Sequence, residues 1–313
     1  MTTTQTEGGV KILNFMRWRY AALILSALLL LASVTSLVVN NINFGLDFTG
    51  GTLIEVAYDK PAALDDVRDV LAQNNYQKAI VVHFGTDTDV LVRLPGDVDD
   101  KAGANLVALL NSNTGGSVEL RRLEFVGPQV GEELREQGGL AMILALLVVM
   151  VYVAIRFQLK FSVGAVVALA HDVLIVLGVF SFFKLDFDLT VLAAILAVIG
   201  YSLNDTIVVS DRIRENFRRL REGSSIHIVN TSLSETLGRT IVTSLTTLLV
   251  LFALYYLGGE IIHNFALALI IGVGVGTYSS IYVAANVLLL MNISRDDLIL
   301  IPKEEDPELA ARP

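Results

Sequence analysis

Leu189–Ser210, LTVLAAILAVIGYSLNDTIVVS, is an apolar run long enough to cross a bilayer, yet it carries Asp205 beside Asn204. A transmembrane helix needs about 20 mostly apolar residues. An ionised Asp at the centre of such a helix costs about 2.5–3.5 kcal/mol, so acids inside spans normally face the interior of a helix bundle and have a function. Asp205 is therefore the first candidate functional residue.

Further apolar runs of comparable length place the chain among membrane proteins. Of its 313 residues 53% are hydrophobic and only 18% are charged, whereas soluble domains average about 25% charged residues. The first run is longer than a signal-peptide core and no convincing cleavage site follows it, so we expect a retained helix. Six transmembrane helices are predicted, at 20–39, 139–155, 161–183, 189–210, 240–257 and 265–291.

The distribution of Lys and Arg predicts the orientation, because loops on the cytoplasmic side of membrane proteins are enriched in cations. If the N-terminal segment 1–19 and the tail 292–313 are cytoplasmic, the cytoplasmic segments hold nearly all the Lys and Arg residues, not counting those of the large loop between the first two spans. Five of them are arginines between residues 212 and 221. The short outer loops near 184–188 and 258–264 hold only Lys184. We therefore expect both termini to be cytoplasmic.

Residues 40–137, between the first two spans, are polar enough to fold as one domain on the extracytoplasmic side. The predicted elements are a strand at 52–58, a helix at 61–75, strands at 79–84 and 90–94 around a turn at 85–89, a helix at 101–111 and a strand at 117–127. The order βαββαβ is that of a ferredoxin-like domain. The predicted fold is an α-helical integral membrane protein with six transmembrane helices and one α+β ferredoxin-like extracytoplasmic domain between helices 1 and 2.

Two glycine-containing motifs bracket this domain. GLDFTGGT precedes its first strand and VGPQVGEEL leads into the second span; their distinctive residues are Gly45, Asp47, Gly50, Gly51, Gly127 and Pro128. Gly and Pro mark turns at the ends of regular elements. From the residues alone, the motifs indicate turns and nothing more.

Polar groups also occur at membrane depth outside the Asp205 region. In the third span, His171 and Asp172 lie about 16 Å from the cytoplasmic end, at 1.5 Å per residue, and so near the midplane. Around Asp205 the fourth span carries further polar residues, which are Ser202, Asn204 and Thr206. In the sixth span Gly272 and Gly276 form a G-x-x-x-G pair, which predicts close helix packing.

Arg239 stands at the cytoplasmic start of the fifth span. Thr243 and the pair Thr246 and Thr247 follow it at helical spacing, which predicts one polar face. We expect Asp205 to face this stripe, so that a protonatable acid lies near a fixed cation as in a proton relay. The alternative is a purely structural role, since polar contacts also hold membrane helices together, by about 0.6 kcal/mol on average, and a terminal Arg can snorkel to the interface.

Several functional classes are excluded or disfavoured by the residues. The chain has no cysteine, which excludes disulfides, thiolate metal sites and a cysteine nucleophile. Its formal charge of −9 argues against nucleic acid as a partner, because phosphate binding needs clustered cations. No Walker A or HExxH sequence is present. We therefore expect a non-enzymatic protein that takes its energy from a gradient or from a partner.

Five segments together resemble a known family. FMRWRY before the first span, GLDFTGGT, VGPQVGEEL, HDV in the third span and VIGYSLNDTIVVSDRIREN in the fourth are similar to the SecD/SecF family. Its members are membrane subunits of the bacterial Sec protein-export machinery and belong to the resistance-nodulation-division superfamily of proton-driven transporters. The resemblance runs from about residue 14 to residue 291, in the order and topology of the family.

The resemblance implies a function and a set of partners. A SecF-type chain would pair with SecD in the bacterial inner membrane and use the proton gradient to help preproteins complete export after SecA has pushed them into the SecYEG channel. The implied partners are SecD, SecYEG with SecA, YajC, the translocating preprotein and membrane lipid, and the coupling ion is the proton, with no cofactor or metal. By position, Asp205 corresponds to the intramembrane acid of the family and Arg239 to the basic residue of the next span.

The residues around this pair are secondary candidates, namely Asn204, Thr206, Thr243, His171 and Asp172. Two other functions remain open at this stage. One is a proton-coupled half-transporter of the same superfamily that exports a lipid or small molecule. The other is a structural assembly subunit whose buried charges only hold helices together. A deep apolar pocket in the outer domain would favour the transporter over the export subunit.

Overall fold

The computed structural model describes residues 6–7, 10–77, 79–94, 102–113, 117–220, 223–295 and 297. Most of the predicted tail 292–313, and the first residues of the segment 1–19, lie outside this range. Within the described residues six helices are long and apolar enough to cross a membrane, and each contains most of one predicted run. The predicted six-helix membrane fold is confirmed.

The N-terminal part of the chain leads through the first span into the soluble domain. It begins with β1 (Thr6–Glu7), β2 (Val10–Lys11), a 3₁₀ turn at Phe15–Trp18, α1 (Arg19–Asn40), β3 (Asn43–Phe44) and α2 (Leu46–Thr49). The domain then contains β4 (Gly51–Tyr58), α3 (Leu64–Gln73), β5 (Ile80–Phe84), β6 (Thr86–Leu94), α4 (Ala102–Asn113) and β7 (Val118–Val126).

The remaining chain forms the rest of the membrane bundle. Its elements are α5 (Pro128–Arg156), α6 (Leu159–Phe182), β8 (Asp186–Phe187), α7 (Leu189–Arg219), α8 (Ser225–Leu257), α9 (Glu260–Ser279), a π turn at Ser280–Ala284 and α10 (Ala285–Leu290). α5, α7 and α8 extend past the predicted apolar runs at the bundle ends. We call the end of the bundle nearer the soluble domain its domain side.

The soluble domain has the ferredoxin-like topology predicted from its βαββαβ order. Its four strands lie in the order β5-β6-β4-β7, and every neighbouring pair is antiparallel. Ile54 and Val56 alternate along β4 and are fully buried, together with Leu106 and Leu110 at i and i+4 on α4. The core therefore lies between one face of the sheet and the two helices.

The hairpin between β5 and β6 is tighter than the sequence indicated. The predicted turn covered residues 85–89, but β6 already begins at Thr86. Gly85 makes the turn with φ of +76°, a conformation that glycine adopts without steric cost. The hydroxyl of Thr86 donates to Asp89 Oδ2 at 2.6 Å, which lets these polar residues continue the strand.

The two glycine motifs pack directly against each other, which the sequence did not reveal. Gly50 has φ of +66°, and a Cβ placed there would come within 2.7 Å of Pro128 Cα. A Cβ on Gly131 would lie 2.9 Å from the backbone nitrogen of Gly50. Pro128 occupies the first turn of α5 after the extended Gly127, so this helix begins at the motif rather than at the apolar run. The start of the second span thus contacts the start of the domain, backbone to backbone.

The segment that leaves α1 is also joined to the loop that precedes α7. β3 and β8 form a short parallel pair, and the nitrogen of Gly45 donates to the oxygen of Phe187 at 2.8 Å. Asp47 Oδ2 accepts a hydrogen bond from the nitrogen of Leu189 at 2.9 Å, at the first residue of α7. A carboxylate is favourable at this position because free N–H groups and the helix dipole make the N-terminus positive.

Small residues allow close approach of the helices within the bundle. A Cβ on Gly178 of α6 would overlap the side chain of Ser33 on α1, at 2.3 Å. On α9, a Cβ on Gly272 would lie 2.1 Å from Val198 of α7, and one on Gly276 would lie 3.0 Å from Ser202. The close packing predicted from the G-x-x-x-G pair is confirmed, and it brings the hydroxyl residues after Gly276 next to the polar part of α7.

We predict that Gly131→Ala destabilises the protein by about 1–3 kcal/mol, because the added methyl group has no room against the backbone of Gly50. Gly139→Ala is the matched control on the same helix, since nothing lies within 4 Å of its Cβ position. The control should be neutral or stabilising by up to about 1 kcal/mol. Thermal unfolding of the protein in lipid nanodiscs measures both, and equal effects would contradict the proposed close contact.

Candidate functional site

Asp205 is buried in the bundle, where hydroxyl groups are its partners. Its Oδ1 accepts a hydrogen bond from Thr240 Oγ1 of α8 at 2.6 Å, and its Oδ2 accepts one from Ser280 Oγ at 2.5 Å. The residue is 8% exposed. Within the described residues no Lys, Arg or His nitrogen lies within 4.0 Å of the carboxylate. Two neutral donors, and no cation, hold this acid inside the membrane region.

The polar face of α8 that meets Asp205 is offset by one residue from the predicted stripe. Thr240 and Ser244 are buried, whereas Arg239 and Thr243 are exposed. The hydroxyl of Thr243 donates to the oxygen of its own helix at Arg239, at 3.0 Å. The expectation that Asp205 faces the Arg239 stripe is therefore wrong for this conformation, because consecutive helical residues point about 100° apart.

Arg239 instead borders an open cavity of about 380 Å³ on the side of the bundle away from the domain. Opposite charges surround this cavity: Arg156, Asp211, Arg212, Glu215, Glu235 and Arg239. Arg212 Nε lies 3.7 Å from Glu235 Oε2, so part of the charge is paired internally. Thr236 also borders the cavity and is one helical turn from Thr240, so the cavity approaches the Asp205 site along α8.

The two neighbours of Asp205 that the sequence singled out point in different directions. Asn204 is exposed on the surface of α7. Thr206 is 1% exposed, and its hydroxyl has no hydrogen-bond partner in the described part of the chain. Neither side chain contacts the Asp205 carboxylate. Asn204 is thus a polar group on the outer surface of the bundle, and Thr206 is a packing residue.

Asp172 forms a second buried carboxylate site, which the sequence placed near the midplane without a partner. Its side chain is fully buried, and its Oδ2 accepts hydrogen bonds from Ser202 Oγ at 2.6 Å and Ser279 Oγ at 2.7 Å. His171 Nδ1 lies 3.0 Å from its Oδ1. The His171 ring stacks on Tyr278, with centroids 6.2 Å apart. Asp172 is therefore connected to α7 and α9.

Four consecutive residues of the sixth span, Thr277–Ser280, connect these sites, and we call them the hydroxyl turn. Their hydroxyls reach four different helices: Thr277 contacts Ser244 of α8, Tyr278 contacts Ser26 of α1, Ser279 contacts Asp172 of α6 and Ser280 contacts Asp205 of α7. The π turn begins at Ser280, and such local widenings of a helix often occur at functional positions. Adjacent serines thus contact the two carboxylates.

Sequence reasoning missed the hydroxyl turn and Thr240. Ser and Thr in a membrane helix usually bond to their own backbone, so each of them alone carries little signal. A usable signal was present in TYSS, four successive hydroxyl side chains inside an apolar span. They cannot all face one side of a helix, so a run of this kind predicts contacts to several neighbours.

No cluster of His, Asp or Glu suited to holding a metal occurs in the part of the chain that the structure describes.

Asp186, in the loop before α7, contacts the soluble domain. Arg93 Nη2 of β6 lies 3.3 Å from Asp186 Oδ2, and Asn43 donates to Asp186 Oδ1 at 2.5 Å. Burial raises the pKa of Asp186 above its ordinary value; the guanidinium of Arg93 opposes this rise, nearby Asp188 adds to it and the Asn43 hydrogen bond opposes it. The net effect makes Asp186 easier to protonate than an exposed aspartate.

Comparison with known proteins matches this chain to one family. The model described as "Protein export membrane protein SecD/SecF, C-terminal" matches residues 107–294, and that of the "SecD/SecF GG Motif" matches residues 35–62. The chain belongs to the SecD/SecF family. The second match covers the glycine motif that docks on α5, and the first covers both buried carboxylates.

Relatives and solved structures extend this similarity over nearly the whole chain. The chain is 49% identical to "Protein translocase subunit SecF" of Vibrio alginolyticus over 292 residues, covering 92% of this chain and 93% of the relative. It is 51% identical to the subunit of the same name from Pseudomonas aeruginosa, covering 92% and 94%. The crystal structure of SecDF, a translocon-associated membrane protein from Thermus thermophilus, matches with a TM-score of 0.83 and 36% identity. The match covers 93% of this chain and 40% of that longer chain.

We predict that Thr240→Val lowers the free energy of unfolding by about 1–3 kcal/mol, because it leaves Asp205 Oδ1 buried without its donor. Thr243→Val is the matched control on the same helix, since its hydroxyl bonds only to its own backbone, and its effect should stay within about 0.5 kcal/mol. Chemical unfolding in mixed micelles provides both values. If the two variants behave alike, the Thr240–Asp205 hydrogen bond contributes nothing.

We predict that Asp186→Asn stabilises the protein at neutral pH and that this advantage disappears in acid. A carboxyl whose pKa is raised by folding supports the folded state while it is protonated, and that support is lost as pH rises through the folded pKa. The gain stays below about 1 kcal/mol, because the Asp186 side chain is 43% exposed and solvent screens its charge. Unfolding temperatures of both proteins across the acid-to-neutral range test this, and a difference independent of pH would contradict it.

Proposed function

We propose that this chain is the SecF-type half of a proton-driven accessory to protein export, acting with a SecD-type partner. The observation that carries the proposal is the Asp205 site, a buried acid held by two hydroxyls at 2.5–2.6 Å, with no cationic nitrogen of the described residues within 4.0 Å. A carboxyl group held by hydroxyls keeps hydrogen-bond partners whether it is ionised or protonated, because a hydroxyl can either donate or accept. Membership of the SecD/SecF family and the similarity to SecDF support the assignment to export.

The proton cycle proceeds at Asp205 through an exchange of hydrogen bonds. When Asp205 is ionised, the hydroxyls of Thr240 and Ser280 both donate to it. When it is protonated, it donates one hydrogen bond itself, and one hydroxyl has to turn away or accept. Protonation therefore changes the contact between α7 and the helices that carry Thr240 and Ser280. This change is how proton binding moves helices relative to each other.

Asp205 and Arg239 together remain our proposed relay pair. Arg239 precedes Thr240, so a rotation of α8 by about 100° would exchange the two side chains at the carboxylate. In this proposal the hydroxyl partner belongs to one state of the cycle and the guanidinium to another. Arg239, Thr243 and Asn204 are exposed in this chain, and polar side chains of membrane helices normally face a bundle interior or a cavity; this supports a partner half that covers them.

The partners and orientation follow from the family together with the distribution of charge. We propose that the termini face the cytoplasm and that the ferredoxin-like domain lies outside the bacterial inner membrane. SecD supplies the other six-helix half, since the chain covers 40% of the SecDF structure that it matches. SecYEG with SecA, YajC and the emerging preprotein are the proposed neighbours. The proton is the coupling ion, and no cofactor or nucleotide site is part of the proposal.

A small-molecule or lipid half-transporter is the second candidate. It would need a substrate pocket with an apolar lining outside the membrane. The cavity between the sheet and the domain side of the bundle, about 490 Å³, is instead rich in charged groups, which are Asp47, Arg93, Arg122, Glu124, Asp186 and Asp188. Apolar residues such as Leu53, Phe84 and Ile261 line the same cavity, so its lining is mixed rather than the mainly apolar one that a lipid tail requires; this favours protein export over lipid transport.

Asp205→Asn tests the export proposal. Asn keeps the size and the acceptor oxygen of Asp205 but cannot take up a proton. We expect inverted membrane vesicles with this variant to lose the proton-gradient-dependent part of preprotein translocation, while the complex with SecD still assembles. The matched control is Asp211→Asn on the same helix, where the acid is 53% exposed and pairs with Arg214 at 3.3 Å; this control should keep normal translocation.

Two outcomes would contradict the proposal in different ways. Normal dependence on the proton gradient in an assembled Asp205→Asn complex would exclude Asp205 as the proton carrier. Loss of assembly with the SecD partner would support the structural role instead, in which the buried carboxylate only holds helices together. Quantifying the complex by affinity purification before each translocation assay separates these results.

A further inference from the structure

His171 and Asp172 form a buried titratable pair that the proton cycle at Asp205 does not use. His171 is 3% exposed and Asp172 is fully buried. Nδ1 of the imidazole lies 3.0 Å from Asp172 Oδ1. Because two hydroxyls already donate to Oδ2, a hydrogen on Nδ1 gives the carboxylate three donors in all. This arrangement satisfies an ionised Asp172 beside a neutral histidine.

In that state the pair carries one net negative charge inside the membrane region. Among the described residues, no Lys or Arg nitrogen lies within 4.0 Å of Asp172. Hydrogen bonds lower the cost of a buried charge but do not cancel it, since the pair is still transferred from water into a medium of low dielectric constant. A proton bound to the pair would make its net charge zero.

The pair also has an atom that can bind this proton. His171 Nε2 is buried and has no hydrogen-bond partner among the described residues. With Nδ1 engaged by Asp172, Nε2 retains a free lone pair, which is the basic atom of a neutral imidazole. The imidazolium that forms would stack against the electron-rich ring of Tyr278, which already lies parallel to it within 30°.

The pair is linked to the Asp205 site through the hydroxyl turn. Ser279 donates to Asp172 and the adjacent Ser280 donates to Asp205. Ser202, the other donor to Asp172, lies three residues before Asp205 on α7. Of the elements packed around the pair, α9 contributes Tyr278 as a titratable group and α7 contributes Asp205 beyond the serines. The face that α1 buries contains only alanine and serine, namely Ala22, Ser26, Ser33 and Ser36.

We propose that His171 Nε2, paired with Asp172, is a second proton-binding site of the membrane bundle, coupled to Asp205 through Ser279 and Ser280. A proton from the aqueous phase binds the Nε2 lone pair, the pair passes from a net charge of −1 to 0, and release of the same proton restores it. An ionised Asp205 favours this proton, and a neutral Asp205 disfavours it. The two sites therefore tend to be loaded in alternation, and the Tyr278 hydroxyl connects the loaded pair to α1 through Ser26.

The test is a titration of the four histidines of the full chain, labelled with ¹⁵N and reconstituted in lipid nanodiscs. His171→Asn identifies the His171 signal by its loss, and the Asn amide keeps a donor near Asp172 but cannot bind the proton. His263→Asn is the matched control, because the His263 ring also lies against a tyrosine, Tyr255, with the ring centroids 4.0 Å apart, but is outside the network. We expect the Nε2 signal of His171 to change from that of a neutral imidazole to that of a protonated one as the sample is taken from alkaline to acid pH.

Coupling is tested in the same preparation with Asp205→Asn. A neutral residue at position 205 no longer favours the imidazolium, so the His171 signal should change at a lower pH in this variant than in the parent protein. Asp211→Asn should leave the midpoint unchanged. A His171 signal that stays constant over the whole range would overturn the second site. A normal titration without displacement in Asp205→Asn would overturn the coupling.

If His171→Asn does not fold, the signal can be assigned by its contact with the Tyr278 ring, and the Asp205→Asn comparison still decides the proposal. This inference rests on the proposed function only in assigning a proton cycle to Asp205. The titration needs no export activity. A failure of the translocation test with an intact His171 titration would therefore refute the export role alone, and the reverse result would refute the second site alone.

Discussion

Hydrogen bonding of buried carboxylates by hydroxyl groups is the constraint on which the membrane bundle depends. Asp172 and Asp205 lie on different helices, α6 and α7, and each must be satisfied because an unpaired acid in the membrane interior is costly. Adjacent serines on the sixth span satisfy both. This requires α9 to pack closely on α7, and the absent side chains of Gly272 and Gly276 make that approach possible. The hydrogen bonds to the carboxylates therefore depend on the close spacing of the helices, and this spacing depends on the glycines.

The soluble domain is attached to the same bundle through α7. Asp47 accepts a hydrogen bond from the nitrogen of Leu189 at the start of α7, and Asp205 lies on this helix farther along. The Gly50–Gly131 contact attaches the same short segment to α5. Any displacement of α7 relative to α5 therefore acts on the segment that enters the first strand of the domain. A movement of α7 would in this way act directly on the segment that enters the domain, because backbone contacts join the two.

Much of the fold could be predicted from the sequence, because its signals are long and periodic. Six apolar runs and a βαββαβ pattern each depend on many residues, so errors of one residue have little effect. Asp205 and Asp172 were found because an ionisable group in an apolar run is unusual. The family resemblance added the export function and the correspondence of Arg239, which the residues alone did not supply.

The partners of the acids could not be predicted in the same way. Thr240 and Arg239 are adjacent on α8 and point about 100° apart. Both belong to polar stripes, so the sequence does not show which of the two faces Asp205. Ser279 and Ser280 were missed because serine is compatible with membrane helices without any tertiary contact. The docking of the two glycine motifs joins segments separated by the whole domain, and local turn propensity carries no information about such a contact.

Hydroxyl coordination of the acids has a kinetic consequence. A serine or threonine hydroxyl changes from donor to acceptor by rotation about one bond, without moving its helix. Side-chain rotations of this kind take picoseconds to nanoseconds, whereas collective motions of helices and domains take microseconds to milliseconds. Rearrangement of protons around Ser280 and Thr240 would then be complete long before α8 or the domain moves. The rate of the whole proton cycle would then be set by helix and domain motion, and so by viscosity and lipid packing. Exchanging the solvent for heavy water would slow the cycle only slightly.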